Sequence, residues 1–191
     1  MRTPRIPLVP AVLLALVSFL GASPAHAESI IKHPGDHPKY SFEAEPHLAV
    51  DLFGRWAGVG PGFRGTLVLV DNGFISSINN SVGLGFGADW IFFGDRCEGP
   101  PGLRACHDTS SDVVLPVVLQ WNFWLAPQWS VFGEPGLAFH LHGGRDHVDV
   151  DWFTIYGGGR YHFSDAVALT LRVGAPFFND NVVSIGASFF L

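Results

Sequence analysis

The chain has 191 residues, enough for one domain, with 48% hydrophobic residues and a formal net charge of −6. An acidic balance with no basic stripe or basic helix excludes a nucleic-acid binder. Its first stretch has the anatomy of an export signal: Arg2 and Arg5, an apolar run from Leu8 to Leu20, then Ala25-His26-Ala27. Residues 1–27 are therefore expected to be a cleaved signal peptide, with the mature chain starting at Glu28. The apolar run is too short to span a membrane comfortably, and no cysteine follows the site to carry a lipid. Without Arg2 and Arg5, nine basic residues face 17 acidic ones, a charge of −8 with histidines neutral.

Residues 28–39, including HPGDHP, read as a flexible lead-in, and residues 40–191 as the folded domain. Beyond Glu28 the dominant signal is alternation with period two, in eight candidate strands. The first two are the least regular. Ser41–Phe53 places Leu48, Val50 and Leu52 on one face, and Gly62–Val70 places Leu67 and Leu69 opposite Arg64 and Thr66. Ser81–Phe93 sets Val82, Leu84, Phe86, Ala88, Trp90 and Phe92 against Ser81, Gly83, Gly85, Gly87 and Asp89. Val113–Trp124 sets Val113, Leu115, Val117, Leu119, Trp121 and Phe123 against Gln120 and Asn122. Trp129–Leu141 sets Val131, Leu137, Phe139 and Leu141 against Ser130, Glu134 and Ala138. Trp152–Phe163 sets Phe153, Ile155, Tyr161 and Phe163 against Thr154, Gly158, Arg160 and His162. Ala166–Ala175 and Val182–Leu191 close the series, with Thr170, Arg172, Gly174, Ser184, Gly186 and Ser188 on the small or polar face.

Long polar links are expected after the first, third, fifth and seventh strands, and short ones, LAPQ and SD, after the fourth and sixth. DNGFISSINN, after the second, is intermediate. That layout is the one of a transmembrane barrel with turns on one side and loops on the other. Charge decides which face is outside. The apolar faces of the last six strands carry no Asp, Glu, Lys or Arg, whereas a charge facing mid-bilayer lipid costs about 2–4 kcal/mol for Arg or Lys. The other face is mostly Gly, Ser, Ala and Thr, suited to a crowded interior. Trp121, Phe123, Trp129, Tyr161, Phe163 and Phe189 fall near the turn side, and Trp90, Phe92 and Phe153 near the loop side, as two interfacial girdles would. Pro116 and Pro135 sit inside strands, where a bulge or bend is expected at each.

The ending VVSIGASFFL resembles the terminal strand signal of outer-membrane β-barrel proteins, with Phe189 third from the end. Leu191 stands where that family usually has a terminal Phe. The resemblance implies recognition of Phe189 and Leu191 by the barrel assembly machinery. The whole mature chain resembles the small eight-stranded group that includes OmpA- and OmpX-type barrels. LVDNGFISSINNSVGLGFGADW and QWNFWLAPQWSVFGEPGLAF look like an uncharacterised outer-membrane barrel family of Gram-negative bacteria, which implies no activity. The expected fold is an all-β, eight-stranded antiparallel up-and-down transmembrane barrel in the cell outer membrane.

Candidate chemistry is sparse. Cys97 and Cys106 share one polar segment of an exported chain and are expected to form a disulfide. His140, His142 and His147 are candidate metal ligands, with Asp146, Asp149 and Asp151 nearby. No recognised ligand pattern is matched, so a hydrated loop without metal or cofactor is expected. Ser110, Ser111 and Asp112 with His140 and His142 do not define a nucleophile–base pair, and GVGPGFRG lacks the GK[ST] of a phosphate loop. The inward list, Asp89, Gln120, Glu134, Arg160 and Arg172, forms a candidate polar network filling the lumen. The functional reading is a non-enzymatic structural or surface-interaction barrel, monomeric, whose partners are outer-membrane lipid and lipopolysaccharide. A narrow solute channel and a rim-site enzyme acting on lipid or peptide are the alternatives.

Overall fold

A computed structural model describes residues 29–51, 58–94, 96–98, 105–107, 110–142, 148–174 and 182–191. The signal-peptide reading of 1–27, His147, and the loop centres after the first, third, fifth and seventh expected strands lie outside the described residues. Ten strands follow in order: β1 (Phe42–Asp51), β2 (Gly58–Val70), β3 (Asn80–Phe93), β4 (Arg96–Glu98), β5 (Ala105–His107), β6 (Ser110–Ala126), β7 (Trp129–His142), β8 (Val148–Ser164), β9 (Val167–Gly174) and β10 (Val182–Phe190). Eight of them close into an antiparallel barrel in the order β1-β10-β9-β8-β7-β6-β3-β2, while β4 and β5 pair as a separate hairpin in the third link. Barrel closure leaves no free edge, which a strand in lipid could not tolerate.

The alternation works as the residues demand. Leu48, Phe63, Leu84, Val117, Val131, Ile155, Leu171 and Ile185, one on each barrel strand, are exposed, while among the described residues buried polar side chains outnumber buried apolar ones. Burial is thus inverted relative to a water-soluble barrel.

Three features depart from the sequence reading. First, β2 begins at Gly58, four residues earlier than expected, so the first link is only 52–57 and shorter than the 71–79 turn. Gly58 and Gly60, read as loop, are strand residues, and the close packing there requires glycine: at Gly60 a Cβ would collide with the Trp90 carbonyl, as at Gly62, already in the expected strand, it would with His47 and Asp89. Second, Pro116 carries no bulge. Register runs unshifted past it toward both β3 and β7, since losing one donor does not displace the pairs on either side. Beside Pro135 a shift does occur, between Gly136 and Ala138. Third, the lead-in is fastened across the turn-side end: Ile30 N donates to Leu125 O at 3.1 Å, and Asn79 N to Ile31 O at 2.7 Å.

Four bulges each add an outward apolar residue at a rim. Leu69, Leu125 and Phe163 are the extra residues in the pairings β2–β3, β6–β7 and β8–β9, all at the turn side. The fourth, opposite Gly136–Ala138, puts Trp152 beside Phe153 on the outer surface, and Trp152 is 81% exposed. Strict alternation had left Trp152 off the apolar face.

Candidate functional site

The barrel's middle is a ring of buried charges. A strand brings residues i, i+2 and i+4 to one face, so β1 presents Glu43, Glu45 and His47 inward. Gln120 and Asn122 come from β6, Glu134 from β7, Arg160 from β8, Arg172 from β9 and Ser188 from β10. The contacts run around the lumen without a break. Arg160 Nη2 donates to Glu43 Oε2 at 2.9 Å, and its Nη1 to Asn122 Oδ1 at 2.6 Å. Asn122 donates to Gln120 Oε1 at 3.1 Å, and Gln120 to Glu134 Oε1 at 2.8 Å. Arg172 Nε donates to Glu134 Oε2 at 2.9 Å, and its two Nη atoms hold Glu45 at 2.6 and 2.8 Å. Ser188, accepting from Thr170 at 2.6 Å, donates to Glu43 Oε1 at 2.8 Å, and its hydroxyl oxygen lies 3.5 Å from Glu45 Oε2, which brings the chain of contacts back to its start.

Asp89, the remaining member of the sequence-derived list, belongs to a second cluster toward the loop side. Arg64 grips it with both Nη atoms at 2.9 and 2.6 Å, and His47 Nε2 lies 2.7 Å from Asp89 Oδ1. A 3.6 Å approach of His47 Nδ1 to Glu45 Oε1 joins the two clusters. The structure therefore brings Gln120, Glu134, Arg160 and Arg172 together directly and Asp89 by way of His47.

One register expectation fails. Counting from a fifth link centred at Asp146 sets Glu134 opposite Gly158, but Glu134 pairs with Tyr156, and Phe132 with Gly158. Gly158 instead makes room for the Phe132 ring, which a Cβ there would strike. That ring lies against both guanidinium groups, 4.2 Å from the Arg160 and 5.1 Å from the Arg172 carbon. Sequence reasoning missed Phe132, Glu43, Glu45 and His47. The signal for the β1 residues was present as a regular Glu43-Glu45-His47 spacing, obscured because Pro46 interrupts it and the opposite face is weakly apolar.

The network is enclosed at both ends. Toward the loops Ile91, Phe93, Val114, Val118 and Tyr156 are buried. Toward the turns Trp124 faces His162 at 4.8 Å, and His162 faces Phe190 at 5.3 Å. At the loop rim His140 Nε2 lies 2.9 Å from Asp151 Oδ2, and His142 sits between Asp112 at 3.0 Å and Asp149 at 3.1 Å. No three such groups converge as a metal site among the described residues. Cys97 stands directly opposite Cys106 in the β4–β5 hairpin. Phe189 points outward and Phe190 into the lumen.

No family model and no curated protein matches the chain. Among solved structures it is similar to Ail, the attachment invasion locus protein of Yersinia pestis (11% identity, 81% of this chain and 99% of that one, TM-score 0.47). It is also similar to a de novo designed transmembrane β-barrel (15% identity, 81% and 99%, TM-score 0.46) and to Omp33 of Acinetobacter baumannii (10%, 82% and 100%, TM-score 0.29). The chain's own surface settles its class. A closed eight-stranded barrel with ion pairs inside and bare Leu, Val, Ile and Phe outside on every strand is a small β-barrel of the outer-membrane kind.

Proposed function

We propose that the protein is a sealed outer-membrane barrel with a structural or surface-interaction role. The observation that carries this is the ring of contacts from Glu43 through Arg160, Glu134, Arg172 and Glu45, closed across the lumen at Ser188. Eight strands leave an interior only wide enough for side chains, and here charged side chains occupy it in mutual contact. A solute or ion would have to break several buried charge pairs to pass. The wall meets membrane lipid and lipopolysaccharide, and Trp90, Phe92, Trp152 and Phe153 lie where headgroups would. Outward-facing Phe189, with the exposed Leu191, suits recognition by the assembly machinery. The reading is non-catalytic, and it leaves His142, which lies between Asp112 and Asp149, as part of the loop rim. Purified protein that shows heat-modifiable gel mobility is expected to give no steady conductance in planar bilayers. Large steady conductance would overturn the sealed-lumen reading.

The β4–β5 hairpin carries a second expectation. Directly opposed residues in an antiparallel pair have Cα atoms about 4.5–5.5 Å apart, within the span a disulfide bridges. Cys97 and Cys106 are expected to be joined and outside the cell. A membrane-impermeant thiol reagent on intact cells should label neither residue until a reductant is added. Labelling without reductant would refute the bond, and none after reduction would refute the exposure.

A further inference from the structure

The strap before β1 does more than lead the chain in. Residues Ile30–Tyr40 cross the turn-side mouth of the barrel, and Asn79, itself fully buried, ties them to β6. Its N–H donates to Ile31 O at 2.7 Å, its Nδ2 to Asp36 O at 2.8 Å, and its carbonyl accepts from Trp124 N at 3.0 Å. Because Nδ2 faces a carbonyl, Oδ1 is the acceptor left for His37 Nδ1, which donates to it at 2.6 Å. The His37 ring lies flat on Trp124, centroids 5.2 Å apart and planes within 8°. Tyr40 follows, edge-on to Trp124 and Phe190. The strap turns at Gly35, whose φ of +77° suits a residue without Cβ.

We propose that this strap is a plug for the periplasmic mouth, latched by His37 on Trp124 and Asn79, and that acid releases it. Burial pushes the His37 imidazole below its usual value of 6.5, and neighbouring Lys39 acts in the same direction, whereas the Asn79 bond and Asp71 oppose both. The other groups facing this region are few. Within the strap, His33 lies 3.9 Å from Asp36, and Lys39 lies 3.6 Å from Asp71 of the 71–79 turn. Asp165 of the β8–β9 turn lines the cleft beside His37, and His162 of β8 also packs on Trp124. Burial raises the Tyr40 phenol, which stays neutral. A released strap binds a proton at His37 more readily than a docked one. Docking therefore has its full strength above about pH 6.5 and weakens as pH falls toward the docked value, the open fraction growing by up to about tenfold per pH unit in that window.

Hydrogen exchange on the folded, detergent-solubilised protein, corrected for the intrinsic pH dependence of exchange, tests this. At pH 7.5 the amides of Ile30, His33, Asp36 and Asn79, all donors in the docked strap, should be protected. At pH 5.5 their protection should fall by up to about tenfold while the barrel amides keep theirs. His37→Phe keeps a ring on Trp124 but cannot titrate, so its strap should respond little to pH. Asn79→Ala should leave the strap open at both pH values. Absence of protection at pH 7.5 would refute the plug. Equal protection at both pH values would refute acid release, and an acid response retained in His37→Phe would refute His37 as the latch.

Discussion

Replacing Arg172 with methionine should destabilise the folded barrel by about 3–5 kcal/mol, the range for breaking a buried ion pair from one side. Arg172 holds two carboxylates, Glu45 and Glu134, and all three side chains are 2% exposed or less. Its removal leaves Glu134 with only the Gln120 amide, and Glu45 with only the long approaches of His47 at 3.6 Å and Ser188 at 3.5 Å, in place of a guanidinium. Glu134→Gln should cost less, because Arg172 keeps Glu45 and the new amide can still accept a hydrogen bond. The triple change Arg172→Met with Glu45→Gln and Glu134→Gln should recover part of the loss, since no unpaired charge then remains. Urea unfolding in detergent, followed by tryptophan fluorescence, measures all of these. An Arg172→Met midpoint equal to that of the parent protein would mean that the lumen is wet and its charges are separately hydrated.

Leu171→Arg should block or slow insertion into bilayers, at a cost of about 2–4 kcal/mol if the position lies at the bilayer midplane. Leu171 is exposed on β9, and its cross-strand partners are Gly159 of β8 and Ile185 of β10, neither of them polar. Leu119→Arg on β6 should behave alike. The proper comparison is Thr170. From sequence alone, an arginine there is expected to be mild because Thr170 faces inward. The structure removes that allowance: Thr170 is completely buried with its hydroxyl 2.6 Å from Ser188, so no room exists for the larger side chain. Thr170→Val is the fair control. It keeps the shape, loses one hydrogen bond worth about 1 kcal/mol, and should still insert. Equal damage from Leu171→Arg and Thr170→Val, read as the folded fraction by gel mobility in lipid vesicles, would cancel the assignment of faces.

The sequence by itself determined the wall. Which side of each strand meets lipid follows from alternation within that strand, because successive side chains leave the backbone on opposite faces whatever the strand's partners are. Leu119 against Gln120, and Leu171 against Arg172, needed no tertiary information. The even strand count and the short turns at Pro127–Gln128 and Asp165–Ala166 were legible for the same local reason. The β1 polar face was written there too, but two glutamates and a histidine spaced by two do not announce a lumen until something across the barrel answers them.

Only the tertiary structure decided those partners. Glu43 meets Arg160 from 117 residues away, and Glu45 meets Arg172 from 127 residues away. These pairs join β1 to strands that are not its neighbours, so they exist only once the sheet has closed with a given tilt and register. Bulges disturb that register by one residue at a time, and a shift of one residue exchanges the faces. This is why Trp152 points to the surface against its place in the alternation, whereas setting Phe132 rather than Glu134 over Gly158 is a two-residue offset that keeps the face. The strap was illegible for a related reason. Its anchors, Asn79 and Trp124, lie in other parts of the chain, and only closure of the barrel brings them together beneath His37.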